Sequence, residues 1–249
     1  MNLLTIAVFV LIIVLIYLVY TLMTKTTMSV SGFSDASTTV FLPCKKFGTS
    51  TNSNYGYSVW LYVDSWESGG QLSINKNVLT RYSVANDPLF QLYLDNDQNN
   101  LNLLINGTMP ATPNPACTIR NVQLQKWINM TISVYGNTVD MYLDGKLVRT
   151  CIMNNPPASL NVGDSLYIGG GYNVSGGKLS SPKNPTGNDG NLQGYISSVV
   201  YKADYFTPEE AWTIYSNGYS GAGTFDFLTK YKLNFSITND NQTLGQFSV

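Results

Sequence analysis

Two-residue alternation, interrupted at short intervals by turn residues, is the pattern that most restricts this chain. The stretch "YGYSVWLYVDSW" (residues 55–66) sets Tyr57, Val59, Leu61 and Val63 on one side of an extended backbone and Ser58, Trp60, Tyr62 and Asp64 on the other. Strand side chains point alternately to the two faces of a sheet, so this is the period of a strand. Similar runs recur as "PLFQLYL", "NLNLLI", "WINMTISVY", "VDMYL", "KLVRTCIM", "SLYIGGG" and "GYISSVVYKA", mostly separated by Gly, Asn, Asp or Pro. Many short strands with turn chemistry between them predict an all-β sandwich or barrel. No fixed-period repeat links them, which argues against a propeller or solenoid. The alternation leaves open which side of residues 55–66 is core. Trp127, at the start of "WINMTISVY", reads as a core residue.

The segment "VDMYLDGKLV" (residues 139–148) holds Asp140 and Asp144 with Tyr142 between them. Asp144-Gly145 is a favoured two-residue type I′ turn, and Val139, Met141, Leu143 and Leu147 supply the apolar flank. Asp140 and Tyr142 then face away from the core. Sugar hydrolysis needs carboxylates clustered on one sheet face, one protonated and one ionised. A turn position suits that poorly and no glutamate lies in the strand, so the segment reads as a hairpin. "LDNDQNN", with Asp95, Asp97 and Asn99, lacks the Gly and terminal Glu of a helix-loop-helix calcium site and reads as a hairpin tip. No metal and no other cofactor is expected.

One helix is marked. In "FTPEEAWTIYSNGY", Thr207 caps the first turn, Pro208 fits the first helical position, Glu210 completes a capping box and Gly218 supplies the stop. Ala211, Trp212, Ile214 and Tyr215 form an apolar stripe for docking, with Trp212 turned inward.

The succession "WINMTISVYGNTVDMYLDGKLVRTCIM", "SLYIGGG" and "LQGYISSVVYKADYFTPEEAWTIYSNG" resembles the concanavalin A-like jelly roll, particularly its laminin-G and pentraxin-like branch. The likeness runs through residues 127–218 and, by strand pattern, residues 55–105. It implies two curved antiparallel sheets packed face to face. Glucanase members carry an acidic E-x-D-x-x-E strand that is missing here, so the resemblance implies no catalysis. The sequence also has no histidine, which removes imidazole triads, metal sites and proton shuttles. "IGGGYNVSGG" lacks GK[ST], so Gly169, Gly170 and Gly171 are expected to serve close packing and a sharp exit.

Residues 3–23, "LLTIAVFVLIIVLIYLVYTLM", carry no charge and as a helix would cross a bilayer of roughly 30 Å. Leu3, Ile6, Val10, Ile13, Leu18 and Met23 are the expected lipid-facing anchor. No basic segment precedes the run and no small-x-small site follows it, so it reads as retained. Residues 1–24 are thus an anchor, 25–39 a Ser- and Thr-rich spacer, and 40–249 the β domain. Five sequons, at Asn106, Asn129, Asn173, Asn234 and Asn241, lean toward a non-cytosolic body, with several accidental in so Asn-rich a chain. Cys44, Cys117 and Cys151 permit one bridge and leave one thiol over.

Net charge is −1 and only 12% of residues are charged, with no run of Lys and Arg, so nucleic acid is excluded as a partner. Seventeen tyrosines and four tryptophans leave aromatic contact with protein or sugar as the remaining chemistry. Residues 173–190, with Asn173, Lys178 and Asn188, read as a long exposed contact loop. An amino-terminal anchor on a sparsely charged Asn-, Thr- and Tyr-rich β domain is similar in architecture to membrane-linked minor capsid proteins of large icosahedral double-stranded DNA viruses with an internal membrane. The expectation is a non-catalytic, single-pass tether between that membrane and the capsid shell. A membrane-anchored lectin is the alternative, with the bilayer and glycans as partners.

Overall fold

A computed structural model describes residues 11–16, 27–47, 53–66, 76–85, 87–95, 98–105, 117–170, 174–175, 178–179, 192–219, 234–239 and 242–248. Every strand pairing in it is antiparallel.

In chain order the strands of the two large sheets are β1 (Thr27–Ser31), β2 (Ser34–Asp35), β3 (Val40–Pro43), β4 (Tyr55–Ser65), β5 (Lys76–Tyr82), β6 (Pro88–Leu94), β7 (Leu101–Ile105) and β8 (Cys117–Ile119). They continue with β9 (Trp127–Tyr135), β10 (Thr138–Leu143), β11 (Lys146–Ile152) and β12 (Ser165–Ile168). Two short strands follow, β13 (Val174–Ser175) and β14 (Lys178–Leu179), and then β15 (Gln193–Lys202). One sheet runs β1-β15-β4-β9-β10-β11, with β2 also on β15; the other runs β3-β12-β5-β6-β7-β8. A separate ladder joins β16 (Asn234–Asn239) to β17 (Gln242–Ser248).

The two sheets bury their facing side chains in one core. Tyr57, Val59, Leu61 and Val63 of β4 and Ile128, Met130, Ile132 and Val134 of β9 meet Phe90, Leu92, Leu101 and Leu103 of the other sheet. Each such side chain contributes about 1.5–3 kcal/mol on leaving water. The inner face of β4 is therefore the Tyr57–Val63 parity. All eight runs read from the sequence fall on strands, and the architecture is the expected two-sheet sandwich.

The spacer reading of residues 25–39 gives way, because β1 and β2 pair with β15 inside that span. β5 was missed as well. Its sequence KNVLTRY is buried throughout although four of its residues are polar. Arg81 donates from Nε to Asp164 Oδ2 (2.9 Å), from Nη1 to the Tyr57 hydroxyl (2.9 Å) and from Nη2 to the Asn161 carbonyl (2.7 Å). Those bonds satisfy a cation that would otherwise be intolerable there. Beside it the free, buried Cys44 has its thiol pushed up to about 11 by burial.

Cys117 and Cys151 form a disulfide that ties β8, at the edge of one sheet, to β11, at the edge of the other. Asp144 (φ 51°) and Gly145 (φ 73°) form the two-residue turn between β10 and β11, in the left-handed region such a turn requires. Gly170 (φ 75°) closes against the residue that precedes β3, where an added Cβ would fall 1.9 Å from Thr39 Oγ1. Leu147 departs from its expected core position and is 53% exposed. A register shift between Met141 and Tyr142 carries β11 out of phase with the core.

Residues 11–16 are helical, and Ile13 there is exposed. Among the described residues no helix is long and apolar enough to cross a membrane. Leu3, Ile6, Val10, Leu18 and Met23 lie outside the described residues. So do Asn173 and Asn188 of the expected contact loop, while Lys178 opens β14 and pairs with Ser175.

Candidate functional site

Outward-facing residues of β4, β9 and β15 build the site, and the same alternation that makes the core places them. Ser58, Trp60, Tyr62 and Asp64 point away from the core of β4, and Trp127, Asn129, Thr131 and Ser133 do so on β9.

Half of this face is roofed by the helix Pro208–Asn217 and the chain leading into it. Thr207 Oγ1 accepts from the Glu210 N–H, and the Glu210 carboxylate accepts from the Thr207 N–H. Glu210 also accepts from Lys202 Nζ at 2.6 and 2.8 Å, which fastens the first turn to β15. Burial works against the Glu210 charge, but the bonds from Lys202 and Thr207 prevail and hold its carboxyl below the ordinary 4.5. Beneath this roof the polar residues satisfy one another. Ser58 and Thr131 hydroxyls hydrogen-bond at 2.8 Å, Asn129 Nδ2 donates to Ser58, and Thr131 donates to Asn129 Oδ1. Ser133 Oγ donates to the Phe206 carbonyl and accepts from its N–H. Trp60 stacks on Tyr215 at 5.7 Å.

The other half carries an aromatic shelf. Tyr195, Tyr62 and Trp127 stand in direct register on three adjacent strands, β15, β4 and β9, a row about 10 Å across at normal strand spacing. Tyr62 lies 5.6 Å from the Trp127 ring and 6.2 Å from that of Tyr195. Phe33, from the turn between β1 and β2, stacks on Tyr195 at 5.1 Å and is 65% exposed. Tyr219, just past the helix, stacks on Trp127 at 4.5 Å with the rings nearly parallel. Its carbonyl is fixed by the hydroxyls of Ser197 and Ser198. These five rings and Asp64 line an open cleft of ≈ 340 Å³.

Two tryptophan placements differ from the sequence expectation. Trp127 faces outward on the shelf, since it shares the parity of Asn129 rather than that of Ile128. Trp212 is 50% exposed, and the inward residue of the helix is the neighbouring Ala211. Trp212 instead covers the hairpin turn, where an added Cβ on Gly145 would meet it at 3.0 Å. Phe33, Tyr195, Tyr219 and Asp64 were not singled out from sequence.

The carboxylates weighed for catalysis are engaged in structure. Asp140 Oδ1 accepts from Thr150 Oγ1 (2.6 Å), and Asp144 Oδ1 accepts from the Asn129 N–H (2.8 Å). Asp95 accepts from the side chains of Asn100 and Asn102, and Asp97 lies outside the described residues. Among the described residues no group of three or more His, Cys, Asp or Glu could hold a metal.

The concanavalin A-like lectin/glucanases superfamily, in its laminin G form, matches residues 34–210. No curated protein matches the sequence. Among solved structures, an HCR/D mutant is similar with a TM-score of 0.50 and 11% identity, over 78% of this chain and 44% of that one. A heptameric SAP-like pentraxin from Limulus polyphemus aligns over 76% of this chain and 77% of its own, with a TM-score of 0.47 and 14% identity. A Trypanosoma rangeli sialidase in complex with 2,3-difluorosialic acid aligns over 78% of this chain, with a TM-score of 0.48 and 14% identity. The chain spans only 29% of that sialidase's length. With a family match over more than half its length and the two-sheet fold that match requires, the chain belongs to the concanavalin A-like lectin/glucanase superfamily.

Proposed function

We propose that the chain is a non-catalytic, membrane-anchored glycan-binding module whose ligand lies across the row Tyr195, Tyr62 and Trp127. The observation that carries this is the row itself: three aromatic side chains in register on the half of the sheet face that the helix leaves uncovered, with Phe33 and Tyr219 extending the aromatic surface at its two ends. A pyranose ring has an apolar C–H face and a hydroxyl rim, which suits aromatic rings flanked by a carboxylate. Asp64, exposed and without a hydrogen-bond partner among the described residues, can accept from that rim. The ring centroids lie 4.5–6.2 Å apart, so the rings pack against one another and leave no slot between them for a cation cage.

The engagement of Asp140 and Asp144 supports a binding role over hydrolysis. The Cys117–Cys151 disulfide supports an oxidising, non-cytosolic compartment, and the uncharged run of residues 3–23 supports the bilayer as a second partner. Full-length protein in detergent, applied to a glycan array with and without calcium, is the test. Competable sugar binding that falls at least tenfold in Trp127→Ala is expected. Silence on the array in both conditions rejects the reading, and turnover abolished by Asp140→Asn rejects the non-catalytic part.

A second reading, contact with a capsid shell protein as a membrane tether, is favoured by β11. This edge strand exposes Leu147 (53%), Val148 (48%) and Ile152 (77%), and an exposed apolar edge is suited to pairing with another chain. Recovery of the protein with a membrane-containing virion and a shell protein would support it; recovery from cell membranes free of particles would reject it.

A further inference from the structure

A second cleft, of ≈ 410 Å³, is lined by Trp66, Gln98, Asn99, Asn121 and Leu124. Its chemistry differs from that of the shelf: three amides around one indole. A buried side chain organises them. Asn100, only 8% exposed, donates to Asp95 Oδ2 and to Gln98 Oε1, while its own Oδ1 accepts from the Asn121 N–H. Asn99 is held by its Nδ2 on the Val122 carbonyl. Asn121 sits at φ 55°, a conformation Asn tolerates better than most residues. Lys76 Nζ lies 4.3 Å from the Trp66 ring centroid and helps fix that ring.

With these bonds made, Gln98 Nε2, Asn99 Oδ1 and the Asn121 side-chain amide have no partner among the described residues. They offer donors and acceptors side by side, the pairing that vicinal hydroxyls require. The cleft and the shelf also share their supporting chain. Asp64 and Trp66 are two residues apart, about 7 Å along an extended backbone. Leu124 and Trp127 are three apart, at most about 11 Å, and the Gln125 N–H donates to the Val63 carbonyl at 2.7 Å, binding this loop to β4.

We infer that the amide cleft is a second sugar subsite, so that the ligand is an uncharged oligosaccharide bound across both clefts rather than a single terminal sugar. This rests on the glycan reading of the shelf. The shelf contributes ring stacking, and the amide cleft contributes hydroxyl recognition of units further along the chain.

The experiment is a length series. Full-length protein in detergent is titrated by calorimetry with gluco-oligosaccharides and N-acetylglucosamine oligomers of one to six units. Affinity is expected to rise at least tenfold between the monomer and the tetramer of the series that binds. Gln98→Glu keeps the acceptor for Asn100 and replaces the free donor, and Asn121→Gly keeps the positive φ while removing the amide. Each is expected to remove most of that gain and to leave monosaccharide affinity within twofold. Affinity independent of length in the unmodified protein, or a length gain untouched in both variants, overturns the second subsite while leaving the shelf in place. Failure of every oligomer, together with silence on the array, removes the shelf and this inference with it.

Discussion

Under the helix the outer sheet face buries Ser58, Asn129, Thr131 and Ser133, whereas one step along the same strands Tyr195, Tyr62 and Trp127 stay partly open to solvent. The usual order of burial is reversed between the two halves. Small polar groups can be roofed because each finds a hydrogen-bond partner in its neighbours. Large rings left open forgo the stabilisation that covering them would bring, roughly 25 cal/mol for each Å² of apolar surface. A face that covers its polar half and opens its aromatic half is the arrangement that the proposed glycan reading requires.

The roofed half should respond most strongly to mutation. Ser133→Val removes both partners of the Phe206 backbone and leaves a buried N–H and C=O unsatisfied, which should cost roughly 3 kcal/mol in denaturant unfolding. Sugar binding at temperatures where the variant is folded should persist. Asn129→Leu deprives Ser58 and Thr131 of a shared partner and should cost roughly 2 kcal/mol. The same burial forbids a glycan on the Asn129 sequon of the folded protein, so mass spectrometry should find that site unmodified. If either substitution proves neutral, the hydrogen-bonded layer is not what holds the roof on.

A smaller effect belongs to the roof's first turn. Thr207→Ala removes the cap and should cost about 1 kcal/mol. The Glu210 carboxyl is held below its ordinary value in the folded chain, so its contribution is present above the ordinary value and is lost as pH falls through the depressed one. Unfolding followed between pH 3 and pH 7 should therefore show an acid-side loss of stability that is diminished in Glu210→Gln. An unchanged acid limb in that variant would assign the loss to other carboxylates.

Much of this was legible because the signals are local. Eight strands, the Asp144-Gly145 turn and the Thr207 to Gly218 helix follow from period and turn chemistry within a dozen residues. β5 was illegible because its polar side chains are satisfied from afar: Arg81 meets Asp164 across 83 positions, and no local pattern announces that. Trp127 is legible from parity: the alternation Ile128, Met130, Ile132, Val134 assigns it to the outer face, and this outweighs the general preference of large rings for burial. Tyr195 could likewise have been placed outward from Ile196 beside it. Phe33 and Tyr219 lie in turns, where periodicity is silent, and only the tertiary fold brings them to the shelf.

The smallest stability effect tests the comparison most sharply. Phe33 is 65% exposed, stacks on Tyr195 at 5.1 Å and is tilted against Trp127 at 6.2 Å. Phe33→Ser should change unfolding free energy by less than about 0.5 kcal/mol, as exposed substitutions usually do. If the ring extends the ligand platform, the same change should weaken sugar affinity about two- to tenfold, the range of one aromatic contact. A stacking ring that served packing would give the opposite pair of results, a lower melting temperature with affinity unchanged. Phe33 would then be part of the cover, and the open half would be no more than an incompletely roofed continuation of the closed one.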